Sequence, residues 1–225
     1  MYQHILATSS LLDELGRKYG TEKSSEGHNF TEIYSGYFDR LRLEVRKVVE
    51  FGIDSGASIR MWAEYFPNAV IHGVDIDPKT LLPESERICC HLVDQGDLKC
   101  MEQLRDQIGL DIDIVIDDGG HTMSQQLTTF AVFFPALRQR GIYVVEDLHT
   151  SYWDEFGGGY KKEGTMIELL KDMVDRVNLY GKSRFADPIK AIDEIARSNP
   201  HPLTFIEKNL LSMHFYKSIA VLFRS

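Results

Sequence analysis

From Arg46 onward, short β-branched apolar runs alternate with longer stretches of helical period, the pattern of a parallel sheet covered by helices. The runs are Arg46–Phe51, Ala69–Asp75, Glu86–Val93, Asp111–Asp117 and Gly141–Glu146. Between them the spacing predicts helices over Ser58–Tyr65, Leu98–Ile108 and Ser124–Leu137. The fourth run is apolar on successive positions at its centre, which implies burial on both faces. After Trp153 the rhythm breaks. Gly157-Gly158-Gly159 reads as a flexible hinge or loop, residues 163–180 as an amphipathic helix, and Pro188–Arg197 as a helix closed by Asn199-Pro200. Leu203–Lys208 and Met213–Phe223 read as a hairpin turning around Asn209, so the last strand opposes its neighbour. The fold class expected is α/β: a Rossmann-like, doubly wound, mostly parallel seven-stranded sheet with one antiparallel strand and helices on both faces. Residues 1–45 are helical, polar and rich in aromatics (Tyr19, Phe30, Tyr34, Tyr37, Phe38) and read as a cap or lid over a domain spanning 46–225, with an insertion at 154–200.

Composition narrows the classes. The chain has 225 residues, 43% hydrophobic and 26% charged, the balance of a globular protein with a full core. No apolar run approaches the roughly 20 residues that span a bilayer, so no membrane association is expected. The charge is 25 − 34 = −9, which repels phosphate backbones and argues against a nucleic-acid partner. The first twenty residues lack a basic segment, an apolar core and a cleavage site, so secretion is not expected. Cys89, Cys90 and Cys100 are odd in number and form no C-x-x-C pair, which suits a reducing, cytoplasmic setting.

Ligands of open α/β sheets bind beyond the carboxyl ends of the strands. At the first such tip stands Glu50-Phe51-Gly52-Ile53-Asp54-Ser55-Gly56. Gly52 and Gly56 permit a tight turn and close approach of backbone to ligand. Asp54 occupies the middle-glycine position of the dinucleotide pattern and disfavours a pyrophosphate. Asp75 ends the second strand 25 residues beyond Glu50, placed to accept from both hydroxyls of a ribose. Glu50 is expected to face either a cationic part of the ligand or a helix N-terminus. Asp94 and Gln95 at the third tip suit the edge of an adenine. Acidic tips favour a nucleoside that carries positive charge, S-adenosylmethionine, over NAD or ATP.

The sharper signal is Asp117-Asp118-Gly119-Gly120-His121 after the fourth strand and Glu146-Asp147 after the fifth. Neighbouring strands lie about 4.8 Å apart, so Asp118, Glu146 and Asp147 are expected to converge. Close carboxylates repel unless protonated or bridged by a cation, and an all-oxygen set favours a hard ion such as Mg²⁺. His121, three residues after Asp118, is a general base for the proton of an acceptor hydroxyl. His72 reads as a core histidine, and His149 lies close enough to the cluster to contact substrate.

These motifs resemble the metal-dependent class I methyltransferases that modify macrolide sugar hydroxyls, the mycinamicin and macrocin O-methyltransferases and similar glycoside O-methyltransferases. The resemblance runs through Lys18-Tyr-Gly-Thr-Glu-Lys23, Val49-Glu-Phe-Gly-Ile-Asp-Ser-Gly-Ala-Ser-Ile-Arg-Met-Trp62, His72-Gly-Val-Asp-Ile-Asp77, Asp94-Gln95, Ile116-Asp-Asp-Gly-Gly-His121 and Tyr143-Val-Val-Glu-Asp-Leu-His-Thr-Ser-Tyr-Trp153. It implies Asp118, Glu146 and Asp147 as Mg²⁺ ligands, His121 as catalytic base, and Glu50, Gly52, Asp75 and Gln95 in the S-adenosylmethionine pocket. Tyr19 and Thr21 would close over the methionine end, with Asp117 near the cofactor's amino group or behind the metal. Asp54 and Ser55 depart from the usual first loop. The long N-terminal auxiliary domain of the mycinamicin enzymes is outside the resemblance, so their acceptor and assembly are not carried over.

The reading is an S-adenosylmethionine- and Mg²⁺-dependent O-methyltransferase acting on a hydroxyl of a specialised metabolite, a sugar of a glycosylated natural product or a polyketide-type hydroxyl. Residues 154–200 would form an acceptor-side lid, with Tyr152, Trp153, Phe156 and Tyr160 as apolar wall. A small-molecule acceptor is the expected partner, and homo-oligomerisation stays open. Two alternatives keep the fold: a metal-dependent hydrolase, which would turn over without S-adenosylmethionine, and a non-catalytic nucleoside-binding partner subunit, for which a repelling acid cluster has no use.

Overall fold

The computed structural model describes residues 9–83, 85–178, 190, 194, 197 and 204–225. The chain divides into two compact units, up to Asp94 and from Gln95 on. The first holds α1 (Leu11–Tyr19), α2 (Phe30–Phe38), β1 (Lys47–Phe51), α3 (Ala57–Tyr65), β2 (Val70–Asp75) and β3 (Ile88–Leu92). The second holds α4 (Leu98–Ile108), β4 (Ile112–Asp117), α5 (Met123–Phe133), β5 (Leu137–Val145), α6 (Met166–Val177), α7 (Phe205–Asn209), β6 (Leu210–Tyr216) and β7 (Ile219–Arg224). Two short 3₁₀ turns, Leu148–Tyr152 and Asp154–Phe156, follow β5.

In the first unit β2 pairs in parallel with both β1 and β3. The aromatic N-terminal segment is built into its core. Tyr34 and Phe38 of α2 meet Trp62 of α3 edge-on, with ring centroids 5.6 and 6.0 Å apart, and all three are fully buried. Such rings each bury on the order of 200 Å² and dominate local packing, so the two N-terminal helices rest on α3.

In the second unit β4 and β5 are parallel neighbours, β5 pairs antiparallel with β7, and β7 pairs antiparallel with β6. All six residues of β4 are buried, as its continuous apolar centre requires. Among the described residues there are thus seven strands, and β7 is the one that opposes its neighbours.

Two expectations at the C-terminal end are corrected. The run expected as a strand to Lys208 is helical over Phe205–Asn209. Thr204 and Glu207 cap each other's backbone reciprocally, and this S/T-x-x-E box outweighs the β-propensity of Thr204-Phe205-Ile206. The hairpin turns at Lys217-Ser218, between paired Tyr216 and Ile219, so the apolar run Met213–Phe223 is divided between two strands. The triple glycine lies in a loop, one of the two readings the sequence allowed, and its middle residue is closely packed: a Cβ on Gly158 would stand 2.5 Å from the Thr150 carbonyl oxygen. The helix expected over 188–197 falls almost wholly outside the described residues. Among the described residues no helix is long and apolar enough to cross a membrane.

Candidate functional site

In the first unit the β1 tip folds back on β2. Gly52, at φ 91°, donates its N–H to the Val74 carbonyl at 2.8 Å, and Gly56, at φ 75°, closes the loop onto Ile53. Asp75 holds this loop: one carboxylate oxygen accepts from the backbone of Ile53 at 2.8 Å and Asp54 at 3.3 Å, the other from Asp77 at 2.9 Å. Partial burial raises its pKa, but these amide donors prevail and set it below the ordinary value. The Thr80 hydroxyl adds to this lowering.

Glu50 is fully buried. Ser58, in the first turn of α3, donates its hydroxyl to Glu50 at 2.8 Å, and Lys23 Nζ lies 3.5 Å from the other oxygen. Lys23 is itself buried, so the ion pair is held away from water, where an uncompensated charge would be costly. Thr21 is buried in the same turn and its hydroxyl oxygen accepts from the Lys23 amide. Tyr19 is placed elsewhere: its hydroxyl donates to Glu64 at 2.5 Å, near the far end of α3 from Ser58. Seven residues of helix separate Ala57 from Glu64, about 10 Å. His72 is half-buried with Nδ1 3.0 Å from His91 Nε2, and burial, then the neighbouring His91 and Lys47, lower its pKa to about 4.

The second unit carries the acid cluster. β4 and β5 end in register, Asp117 opposite Val145, and the Glu146 amide extends the ladder to the Asp117 carbonyl at 2.9 Å. The next residue on each strand, Asp118 and Asp147, projects from neighbouring tips. Ligand atoms of Asp118, His121 and Asp147 lie within 4.8 Å of one another. His121 Nε2 is 3.3 Å from Asp147 Oδ2, and its Nδ1 is buried without a hydrogen-bond partner. Two carboxylates and an imidazole with an unused ring nitrogen form a donor set suited to a divalent cation. Glu146 is buried and lies outside this converging set; Gln126 of α5 donates to its carbonyl at 3.0 Å.

Backbone strain marks the same spot. His121 has φ 56° and Asp147 φ 53°, a left-handed conformation uncommon for either side chain. Thr150 ties the two together: its buried hydroxyl lies 2.8 Å from the Asp147 carbonyl and 3.1 Å from the His121 carbonyl. Thr122, immediately after His121, caps α5 with a reciprocal box to Gln125, so the histidine is left free of capping duty.

Behind the cluster, Gln95 spends its amide within the protein. It donates to Asp117 at 2.5 Å and to Thr129 at 2.7 Å, and its oxygen accepts from the Gly120 amide at 3.1 Å. Gly119 is required for this: a Cβ there would stand 2.1 Å from the Gln95 oxygen. Asp117 is enclosed, and burial pushes its pKa up to about 8 against the hydrogen bonds from Gln95 and Tyr143, with Asp118 adding to the rise.

On the outer side His149 Nδ1 is 2.5 Å from the Ser218 hydroxyl and 3.8 Å from Asp147 Oδ1. Its ring meets Trp153 edge-on at 4.6 Å. Tyr152, Trp153 and Tyr160 are exposed. Sequence reasoning did not single out Lys23, Ser58, Gln126, Thr150 or Ser218. Lys23, Ser58 and Thr150 lay within motifs of the resemblance without a role, and Gln126 and Ser218 carry no local signal.

No family model matches the chain. It is 37% identical over 211 residues to 8-demethyl-8-alpha-L-rhamnosyl tetracenomycin-C 2'-O-methyltransferase of Streptomyces olivaceus, a match covering 89% of this chain and 55% of that protein. It is 33% identical over 219 residues to mycinamicin VI 2''-O-methyltransferase of Micromonospora griseorubida, covering 93% of this chain and 51% of that one. Among solved structures it is similar to the MycE methyltransferase of the mycinamycin pathway in complex with Mg and SAH, with TM-score 0.82, 32% identity, and coverage of 97% of this chain and 55% of that chain. The chain spans about half the length of the curated relatives it matches. In sequence and in fold, over that length, it resembles the sugar O-methyltransferases of macrolide and tetracenomycin pathways.

Proposed function

We propose that the protein is an S-adenosylmethionine- and Mg²⁺-dependent O-methyltransferase whose acceptor is a hydroxyl of a glycosylated natural product. The observation that carries the reading is the convergence of Asp118, His121 and Asp147 on two neighbouring strand ends. Relatives named for methylation of rhamnosyl and macrolide hydroxyls support the acceptor class, and the Mg and SAH of the MycE structure support the cofactor pair. The −9 charge and the exposed aromatics after β5 fit a small, partly apolar acceptor better than a nucleic acid or a membrane surface.

Asp118 and Asp147 would hold the cation, with Glu146 joining them as the resemblance implies. A divalent ion there supplies Lewis acidity that makes an acceptor hydroxyl easier to deprotonate. His121 takes the hydroxyl proton, and Asp147, 3.3 Å from Nε2, stabilises the imidazolium that results. The acceptor oxygen attacks the methyl carbon in line, the carbon–sulfur bond breaks, and its electron pair stays on sulfur. In the first unit Gly52 and Asp75 would receive the nucleoside, and the Glu50–Lys23–Ser58 cluster would fix the loop carrying Thr21. Gln95 and Asp117 would support the acid cluster from behind. Tyr19 and Thr21 remain assigned to the methionine end, with Tyr19 needing release from Glu64 to reach it. Residues 1–45 act as cap and 154–200 as acceptor-side lid in this scheme, with 46–225 as the methyltransferase domain.

The test uses mycinamicin VI and the rhamnosyl tetracenomycin as acceptors. His121→Ala should lower turnover by about 10²–10⁴-fold, the usual worth of a general base, while calorimetric affinity for S-adenosylhomocysteine stays within a few-fold. EDTA should silence methyl transfer and Mg²⁺ restore it. Full turnover in chelator, or equal loss of turnover and cofactor affinity in His121→Ala, would overturn the reading.

A further inference from the structure

Three non-glycine residues with positive φ meet at one place. His121 and Asp147 belong to the acid cluster; the third is Ser218, at φ 68°, in the two-residue turn between β6 and β7. Turns favour glycine where φ is positive, because a Cβ is strained there. A serine held in that conformation invites the question of what its hydroxyl does. It meets His149 Nδ1 at 2.5 Å, and the Ser218 carbonyl accepts the Leu148 amide at 3.0 Å, so the turn is fastened to the segment after β5 at two points.

We propose that Ser218 is a positioning residue. Its hydroxyl fixes His149 so that Nε2 and the neighbouring indole of Trp153 form a subsite for a ring hydroxyl of the sugar being modified. The idea rests on the methyltransferase reading and names the acceptor side of the same site. In the tautomer this assigns, Nδ1 carries the proton and donates to Ser218 Oγ, 2.5 Å away. Nε2 is left as an acceptor lone pair on a side chain that is 42% exposed. Trp153 is 46% exposed and packs edge-on against the same imidazole. An exposed aromatic ring beside an oriented hydrogen-bond acceptor recognises a pyranose, whose C–H face and hydroxyl edge need both. The Ser218 contact spans 69 positions of sequence, so it exists only in the folded hairpin.

Ser218→Gly separates this role from a structural one, since glycine relieves the strained φ while removing the hydroxyl. Ser218→Ala removes the hydroxyl and keeps the strain. The full chain, with Mg²⁺ and S-adenosylhomocysteine added, is examined by ¹⁵N-histidine NMR and titrated with methyl α-L-rhamnopyranoside. Wild type should show His149 protonated on Nδ1, and the glycoside should shift the His149 and Trp153 resonances. Both variants should turn His149 towards a mixture of tautomers and weaken glycoside binding about fivefold, the loss expected for one oriented hydrogen bond. Tm should hold or rise in Ser218→Gly and fall in Ser218→Ala. A wild-type His149 protonated on Nε2, no glycoside-induced shift, or variants that match wild type in tautomer and affinity would overturn the proposal. None of these readouts requires methyl transfer, so failure of the subsite and failure of the enzymatic reading are told apart.

Discussion

Asp13 shows how a single carboxylate organises the segment that leads to the first strand tip. It accepts from the Ser25 amide at 2.7 Å and from the hydroxyls of Ser25, Thr31 and Ser9, each at 2.8 Å. Those donors gather the loop between α1 and α2, the loop that carries Thr21 and sends Lys23 to Glu50. Burial raises the Asp13 pKa, yet the four hydrogen bonds prevail and lower it from 3.8 to about 2. A depressed folded-state value contributes stability that is complete above the unfolded pKa and is lost as pH falls through the folded one. Asp13→Asn should therefore cost about 1–2 kcal/mol at pH 7, the range for hydrogen bonds to a charged group at a partly solvated site. In urea unfolding, the gap between wild type and variant should close as pH drops from about 4 to 2. A gap independent of pH would show that the amide loses shape complementarity and not charge.

At the scale of elements, the functional geometry belongs to β4, β5 and the turns after them. Gly119 is the most exacting position, because its missing Cβ makes room for the Gln95 amide that links Asp117, Thr129 and Gly120. Gly119→Ala should destabilise the protein by about 1–3 kcal/mol through overpacking and a broken buried network. It should also reduce Mg²⁺ affinity, both measurable by chemical denaturation and titration calorimetry; an alanine variant with wild-type metal affinity would show that the network does not set the tip. The sheet and its acid tips were legible in the sequence because hydrophobic period and strand-end motifs are local signals. Leu98–Ile108 is a helix with the bounds that periodicity gives, and Asp118 and His121 meet as the Asp-Gly-Gly-His spacing implies. Where a partner lies far along the chain the sequence was silent. Gln95 was assigned to an adenine edge, and nothing local reveals that Asp117, 22 positions on, takes up its amide. Tyr19 likewise meets Glu64 across 45 positions. At Thr204 a local signal was present but outweighed in the reading: the capping box was there to be seen beside a β-branched run.

For the whole molecule, the −9 charge and the converging acids make the same demand, a compensating cation. A diffuse counterion cloud and a bound ion satisfy it differently. Monovalent salt screens the distributed charge over about 8 Å at physiological strength, which affects the entire surface a little. A divalent ion held, as proposed, between Asp118 and Asp147 would act at one point and bind the folded state alone, so it would stabilise by mass action, about 2.7 kcal/mol at a hundred times its Kd. For a chain of this length that corresponds to a rise in Tm of roughly 5–10 °C. Mg²⁺ titrated at constant ionic strength should therefore raise Tm with saturation, whereas NaCl should give a small, unsaturating change. Asp147→Asn should abolish the Mg²⁺ increment and leave the NaCl response intact. A linear, non-saturating Mg²⁺ effect that survives Asp147→Asn would assign the stabilisation to surface charge, and the paired strand tips would then need another explanation for their strained His121 and Asp147.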